Sequence, residues 1–214
     1  NDFDENSVIQ INNLFHKDFC NEVFNFIISN EKNIINKYSY DQRGLVLELS
    51  GSNNLIKYFE YPFSVNRNLF GKFTESNIYR IAETLLKQNV FLFSMEIHSR
   101  ISNGTSIPPH QDNAYYGLTN AKALTFYIPL NPQKPEEGGL RYCSNKIDRQ
   151  FPHELSNEKG FSLTISNKNI KNELINLDPV YDPGDCTIHH SRSVHYADNA
   201  PSNIDRGLVL RMSF

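Results

Sequence analysis

Hydrophobic positions along this chain recur at two different periods, and the period changes after Asn89. In the first part, Asp18 precedes Phe19, Val23, Phe26 and Ile27 at helical spacing, with Glu22 in the first turns and Asn30 as the expected end. That pattern predicts a capped amphipathic helix. A second helix is expected to start at Thr74 or Ser76 and to carry Ile78, Ile81, Ala82, Leu85 and Leu86. Both read as scaffold helices that cover a sheet.

From Phe91 to Ile101 the texture is strand-like. Met95, Ile97 and Ile101 alternate with Glu96, His98 and Arg100, which puts the two sets on opposite faces. Ser102-Asn103-Gly104 is a turn signal. Further strands are expected over Ala123–Leu130, near Leu140–Cys143, Val180–Tyr181 and Cys186–His189, and over Gly207–Phe214. A Pro/Gly-rich loop spans Pro132–Gly139, and Asp182-Pro183-Gly184-Asp185 forms a tight turn. Short strands after a helical lead-in predict a mainly β fold with flanking helices, a β-sandwich or jelly roll. The expected organisation is one domain over 1–214, with a mainly helical lead-in (1–90) and a jelly-roll core (91–214).

Composition narrows the function classes. The net charge of −3 comes with no block of Lys and Arg, so neither nucleic acid nor an anionic membrane is an expected partner. Cys20, Cys143 and Cys186 are far apart and in no CxxC pair, which argues against a disulfide framework and for a reducing, cytoplasmic setting. No apolar run approaches membrane-spanning length, and the acidic start Asn1-Asp2-Phe3-Asp4-Glu5 does not read as a signal peptide. Abundant Phe and Tyr suit strands and an aromatic-lined pocket.

Three features carry chemistry. His110-Gln111-Asp112 places an imidazole and a carboxylate two residues apart, on one side of an extended segment. The run from Gly184 to His195 is a turn leading into a strand that delivers His189, His190 and His195. Arg206 follows His195 by eleven residues and opens the terminal strand. Two His and one carboxylate on one face of a metal are the arrangement of non-haem Fe(II) oxygenases, with three positions left open for a 2-oxo acid and O2. The far carboxylate of such an acid needs a buried cation, and an arginine fork supplies one. His189 and His190 compete with His195 for the ligand role; the spacing to Arg206 favours His195.

In order, HQDNAYYGL, ALTFYIPL, EEGGLRY, PGDCTIHHSRSVH and then Arg206 resemble the phytanoyl-CoA dioxygenase-like branch of the Fe(II)/2-oxoglutarate oxygenases, over roughly Phe91 to Phe214. The resemblance implies a double-stranded β-helix (a cupin-like jelly roll) with Fe(II), 2-oxoglutarate and O2 as cofactors. It carries over His110, Asp112 and His195 as metal ligands and Arg206 as the 2-oxoglutarate anchor. The implied reaction is hydroxylation of a C–H bond in a small-molecule substrate, with release of succinate and CO2. Two departures stand out. Cys143-Ser144-Asn145-Lys146 replaces a Pro-Gly-Ser-His stretch, and Ala197 stands where a Ser or Thr often follows the distal His by two.

EGGLRY also resembles the prolyl-hydroxylase-like branch, which acts on an amino acid or protein and ranks second. A zinc-dependent enzyme or a metal-free binding protein on the same scaffold are rivals from other classes, but neither explains both the triad and Arg206. The carboxylate of Asp112 favours hydroxylation or another oxidation over halogenation. Around the site, the stripe Glu96, His98 and Arg100 reads as either an exposed edge-strand face or the mouth of the site. Tyr115, Tyr116, Arg141 and Arg192 are candidates for substrate contact, each against the plainer reading of packing or a surface salt bridge. His16 and His153 read as solvated.

Overall fold

The computed structural model describes residues 2–38, 45–50, 53–158 and 160–214. The chain opens with α1 (Asp2–Asn6), β1 (Val8–Ile11) and the long α2 (Lys17–Tyr38). An antiparallel pair, β2 (Leu45–Ser50) and β3 (Asn53–Glu60), precedes α3 (Arg67–Thr74) and α4 (Ile78–Leu86). Next come β4 (Ser94–Arg100), β5 (Ile107–His110), the single turn α5 (Asn113–Tyr116), β6 (Leu124–Pro129) and β7 (Arg141–Cys143). The remainder is β8 (His153–Leu155), β9 (Leu163–Ile165), α6 (Ile170–Glu173), β10 (Asn176–Leu177), β11 (Cys186–His190), β12 (Val194–Ala197) and β13 (Gly207–Ser213).

The seven-stranded sheet runs β1-β11-β6-β13-β4-β3-β2, and a four-stranded sheet runs β10-β7-β12-β5. The pairings are antiparallel. The two sheets are the halves of the expected jelly roll, with β8 and β9 as a separate hairpin. Strand alternation sorts the core into layers. On β13, Leu208, Leu210 and Met212 join Val23 and Ile27 of α2 and Phe70 and Phe73 of α3 in a core under the helices. Val209, from the opposite face, packs with Tyr127, Tyr142 and Tyr181 between the sheets.

The expected helices and strands are present, but both helix starts differ: Asp18 lies within the first turn of α2, and the second helix begins at Ile78 after Asn77, Thr74 being the end of α3. The first helix runs past Asn30 to Tyr38 because its buried face continues through Glu31 and Ile34. The lead-in also supplies β1, β2 and β3, which extend the larger sheet. Consequently β4 lies between β3 and β13 and is not an edge strand. Near Val180–Tyr181 the chain makes only a single bridge, Gln133 to Tyr181. The turn before β11 needs glycine: Gly184 has φ +96, and a Cβ there would run into the Phe15 carbonyl. That contact lets Phe15 N donate to Gly184 O at 3.0 Å, tying the lead-in to the barrel.

Candidate active site

Strand pairing brings the two outer members of the triad together. His195 on β12 stands opposite His110 on β5, and their rings lie 4.2 Å apart between centroids. The third member arrives differently from the expected extended segment. β5 ends at His110, and Asp112 has helical backbone angles as the N-cap residue just before α5. The turn still returns its carboxylate to the histidines. His110, Asp112 and His195 each offer a ligand atom, and these atoms lie within 4.8 Å of one another. All three residues are buried.

The hydrogen bonds fix which atoms are offered. His110 Nδ1 lies 2.8 Å from Pro108 O, and His195 Nδ1 lies 3.0 Å from Ser193 O. A carbonyl oxygen only accepts, so each Nδ1 carries a proton and Nε2 is the ring nitrogen turned to the site. Those Nε2 atoms face Asp112 Oδ1 at 3.8 and 3.5 Å. Burial, with His195 beside it, pushes His110 down to about 3, so it stays neutral and available. Two imidazoles and a carboxylate oxygen converging on one point suit a divalent metal, and carbonyl partners on the far nitrogens are the usual orienting shell.

The other oxygen of Asp112 is occupied by protein. Oδ2 accepts from Arg211 Nη2 at 2.7 Å and Thr125 Oγ1 at 3.0 Å, and lies 3.3 Å from His189 Nε2. Burial alone would raise this carboxyl; Arg211 first, then His195 and His189, hold it well below the usual carboxylate range. Arg211 also donates to Glu96 Oε2 at 3.1 Å and to the Tyr116 hydroxyl at 2.7 Å. Arg211 is the residue that sequence reading missed. Its signal is the one charge in the otherwise apolar run LVLRM, opposite in parity to Leu208, Leu210 and Met212.

His189 is on the barrel face of β11 but is turned from the ligand point. Its Nε2 faces an acceptor, Asp112 Oδ2, and its Nδ1 is 3.2 Å from the Tyr142 hydroxyl. Burial pushes His189 down to about 4. His190 lies on the other face, with its ring against Phe3.

Arg206 is not brought to the triad. It shares the parity of Leu208 and Leu210 and therefore points under the helices. There it forks onto Glu31 at 2.9 and 2.7 Å and also reaches Ile56 O and Ser99 Oγ. The stripe Glu96, His98 and Arg100 faces the barrel interior instead: Glu96 pairs with Arg211, His98 with Glu96 at 2.9 Å, and Arg100 lies at the far end. Tyr115 sets its ring edge-on to His110 and bonds to the Leu163 backbone, while Tyr116 reaches Arg211. Arg141 and Arg192 take the plainer fates: Arg141 pairs with Asp178 and Asp198, and Arg192 reaches Gln150. His153 is not simply solvated, because its Nε2 accepts from Gln111 N at 3.1 Å. Where the sequence departs from the family pattern, Asn145 accepts from Val194 N and donates to Arg192 O, which steadies the chain beside His195. Among the described residues the three cysteines are free and buried, and no helix is long and apolar enough to cross a membrane.

The fold recurs in solved structures. The epimerase SnoN from nogalamycin biosynthesis, crystallised with Fe3+, alpha ketoglutarate and nogalamycin RO, superposes with a TM-score of 0.72 at 16% identity, covering 99% of this chain and 80% of that one. EctD from S. alaskensis with 2-oxoglutarate and 5-hydroxyectoine gives 0.73 at 14% identity, covering 99% and 73%. AviO1 from Streptomyces viridochromogenes Tue57 gives 0.68 at 12% identity, covering 100% and 92%. No curated protein matches the sequence. The family model described as phytanoyl-CoA dioxygenase (PhyH) matches residues 37–207, most of the chain including the triad. With its antiparallel double sheet and His-Asp-His cluster, the chain belongs to the phytanoyl-CoA dioxygenase family of Fe(II)- and 2-oxoglutarate-dependent oxygenases.

Proposed function

We propose that His110 Nε2, Asp112 Oδ1 and His195 Nε2 hold Fe(II), and that the enzyme hydroxylates a C–H bond of a small-molecule substrate. The observation that carries this reading is the convergence of those three atoms, with both histidine tautomers set by backbone carbonyls. When bound, iron and 2-oxoglutarate supply the oxidising chemistry, and the cosubstrate leaves as succinate and CO2.

The protein's own residues orient and enclose. Arg211, Thr125 and His189 hold Asp112 Oδ2, which leaves Oδ1 aimed at the metal position. Tyr115 and Phe161 approach the His110 ring at 5.5 and 5.8 Å between centroids. They form an aromatic wall on the substrate side that keeps water from the reacting position. Two structural neighbours are named with natural-product-like molecules, nogalamycin RO and 5-hydroxyectoine. That supports a small organic substrate, and Asp112 in the ligand set favours hydroxylation or another oxidation over halogenation.

Anaerobic addition of Fe(II) and then 2-oxoglutarate should give the visible charge-transfer band of the chelate. In air, the same sample should convert 2-oxoglutarate to succinate faster when substrate is present. Absence of both the band and succinate would refute the reading.

A further inference from the structure

We propose that Arg100, on β4, receives the distal carboxylate of 2-oxoglutarate in place of Arg206. This inference rests on the oxygenase reading above.

Parity decides against Arg206, whose guanidinium is engaged by Glu31, Ile56 O and Ser99 on the helix side of the sheet. Two arginines face the barrel instead. Arg211 is engaged by Asp112 and Glu96 and touches the triad itself, too close to grip the remote end of a five-carbon diacid. Arg100 stands across from Gly207, four pairs along the ladder from the Arg211–Glu96 pair.

Arg100 is a cation in want of an anion. Its Nη1 donates to Thr105 O at 3.0 Å and its Nη2 to Asp198 O at 2.9 Å. Its Nε is buried without a partner. Among the described residues it forms no ion pair with a carboxylate. Such a group is costly unless something charged completes it. Burial pulls its pKa down, with Tyr127 and the more distant charge of Glu48 opposing.

The span allows it. Asp198, whose carbonyl Arg100 holds, comes three residues after the ligand His195. Three residues span at most ~10 Å of chain between the His195 and Asp198 Cα atoms. An extended five-carbon diacid measures about 5 Å from C1 to C5. Adding ~2 Å from metal to oxygen and ~3 Å from carboxylate to guanidinium gives about the same length.

Side chains are kept out of the approach. A Cβ on Gly138 would come 2.8 Å from Arg100 Nη2, and a Cβ on Gly207 would come 3.4 Å from Arg100 Cβ and 3.0 Å from Gln133 Nε2. A cavity of about 10 Å³ at this end, separate from the triad, is bordered by Arg100, Gln133, Lys134, Glu137, Asp205 and Gly207. Lys134 adds a second positive group. The acids Glu137 and Asp205 are not in ion-pair contact with Arg100.

The test uses the anaerobic charge-transfer band, read as a dissociation constant, with two probes: 2-oxoglutarate and 2-oxopentanoate, which lacks the distal carboxylate. Arg100→Gln should weaken 2-oxoglutarate at least about 30-fold, the lower end for a charge left unpaired. It should leave 2-oxopentanoate within about threefold. Arg206→Gln should leave both constants within about threefold while lowering the melting temperature. Arg100→Lys keeps a cation and most of the volume, so it should fold even where Gln does not. It should weaken 2-oxoglutarate about tenfold, because the bidentate fork is lost. The proposal is overturned if 2-oxoglutarate affinity is unchanged in these Arg100 variants, if both acids weaken together, or if the selective loss appears in Arg206→Gln. Failure of the wild-type protein to give a band with either acid would instead reject the oxygenase reading, and the proposal with it.

Discussion

Arg211 Nη2 lies 2.7 Å from Asp112 Oδ2, while Asp112 Oδ1 faces the Nε2 atoms of His110 and His195. One oxygen is thus held by the protein and the other is offered to the metal. Arg211 also compensates Glu96 across the β4–β13 pair. Replacing it with Met would leave two buried carboxylates sharing no cation. Breaking a buried pair costs ~3–5 kcal/mol, and loss of an orienting partner typically costs ~10–100-fold in metal affinity. Arg211→Met should therefore lower both urea-unfolding stability and Fe(II) affinity. Wild-type iron affinity in a folded Arg211→Met protein would refute the orienting role.

The choice among the three histidines is also testable. His195 offers a ligand atom that converges with those of His110 and Asp112, whereas His189 Nε2 lies against Asp112 Oδ2, the oxygen also held by Arg211. His195→Ala, like His110→Ala and Asp112→Ala, should abolish iron binding and turnover. His189→Ala should retain iron, with affinity reduced ~10–100-fold, as expected for loss of an orienting partner and not of a ligand. Equilibrium dialysis with Fe(II) measures both. Retention in His195→Ala with loss in His189→Ala would reverse the assignment.

The triad was legible because each member sits in a local motif and the strands pair as alternation predicts. The jelly roll followed from turn punctuation and period-two segments such as Leu124–Pro129. What was not legible depended on parity relative to partners far along the chain. Arg206 reads as a barrel residue by its distance from His195, yet Leu208, Leu210 and Met212 fix its parity toward α2. The partner that holds it, Glu31, is 175 positions away. Arg211 reads as an exposed residue on a terminal strand until Glu96 and Asp112 are placed around it. β1 is only four residues long and exists by pairing with β11, so no local pattern marks it.

The Arg206–Glu31 fork predicts a structural phenotype. Glu31 is buried, and its Oε1 also accepts from Ile56 N at 2.7 Å, which ties α2 to β3. Arg206→Ala would strand that carboxylate beneath the helices, at a cost of ~3–5 kcal/mol. The double variant Glu31→Met/Arg206→Met should be less destabilised than the sum of its single changes, because no charge is left unpaired. Chemical denaturation of the four proteins supplies the cycle. Strict additivity would mean that the fork does not hold α2 to the sheet.

A pH dependence follows from His190. Its side chain is buried against Phe3, and its Nδ1 accepts from Arg192 N at 3.2 Å. Burial first, and then the like charge of Arg192, push it down to about 4, with Asp4 opposing. The unfolded chain keeps an ordinary histidine near ~6.5. Between these values the unfolded state binds more protons, so stability rises with pH. The contribution is fully present above the unfolded value and is lost as pH falls toward the folded one. Each pH unit in that window should remove up to ~1.4 kcal/mol. His190→Gln cannot take up the proton, so its unfolding free energy should fall less steeply between pH 6.5 and about 4 than the wild type's. Urea denaturation at half-unit pH steps compares the two slopes. Identical slopes would show that His190 is not held neutral in the folded protein.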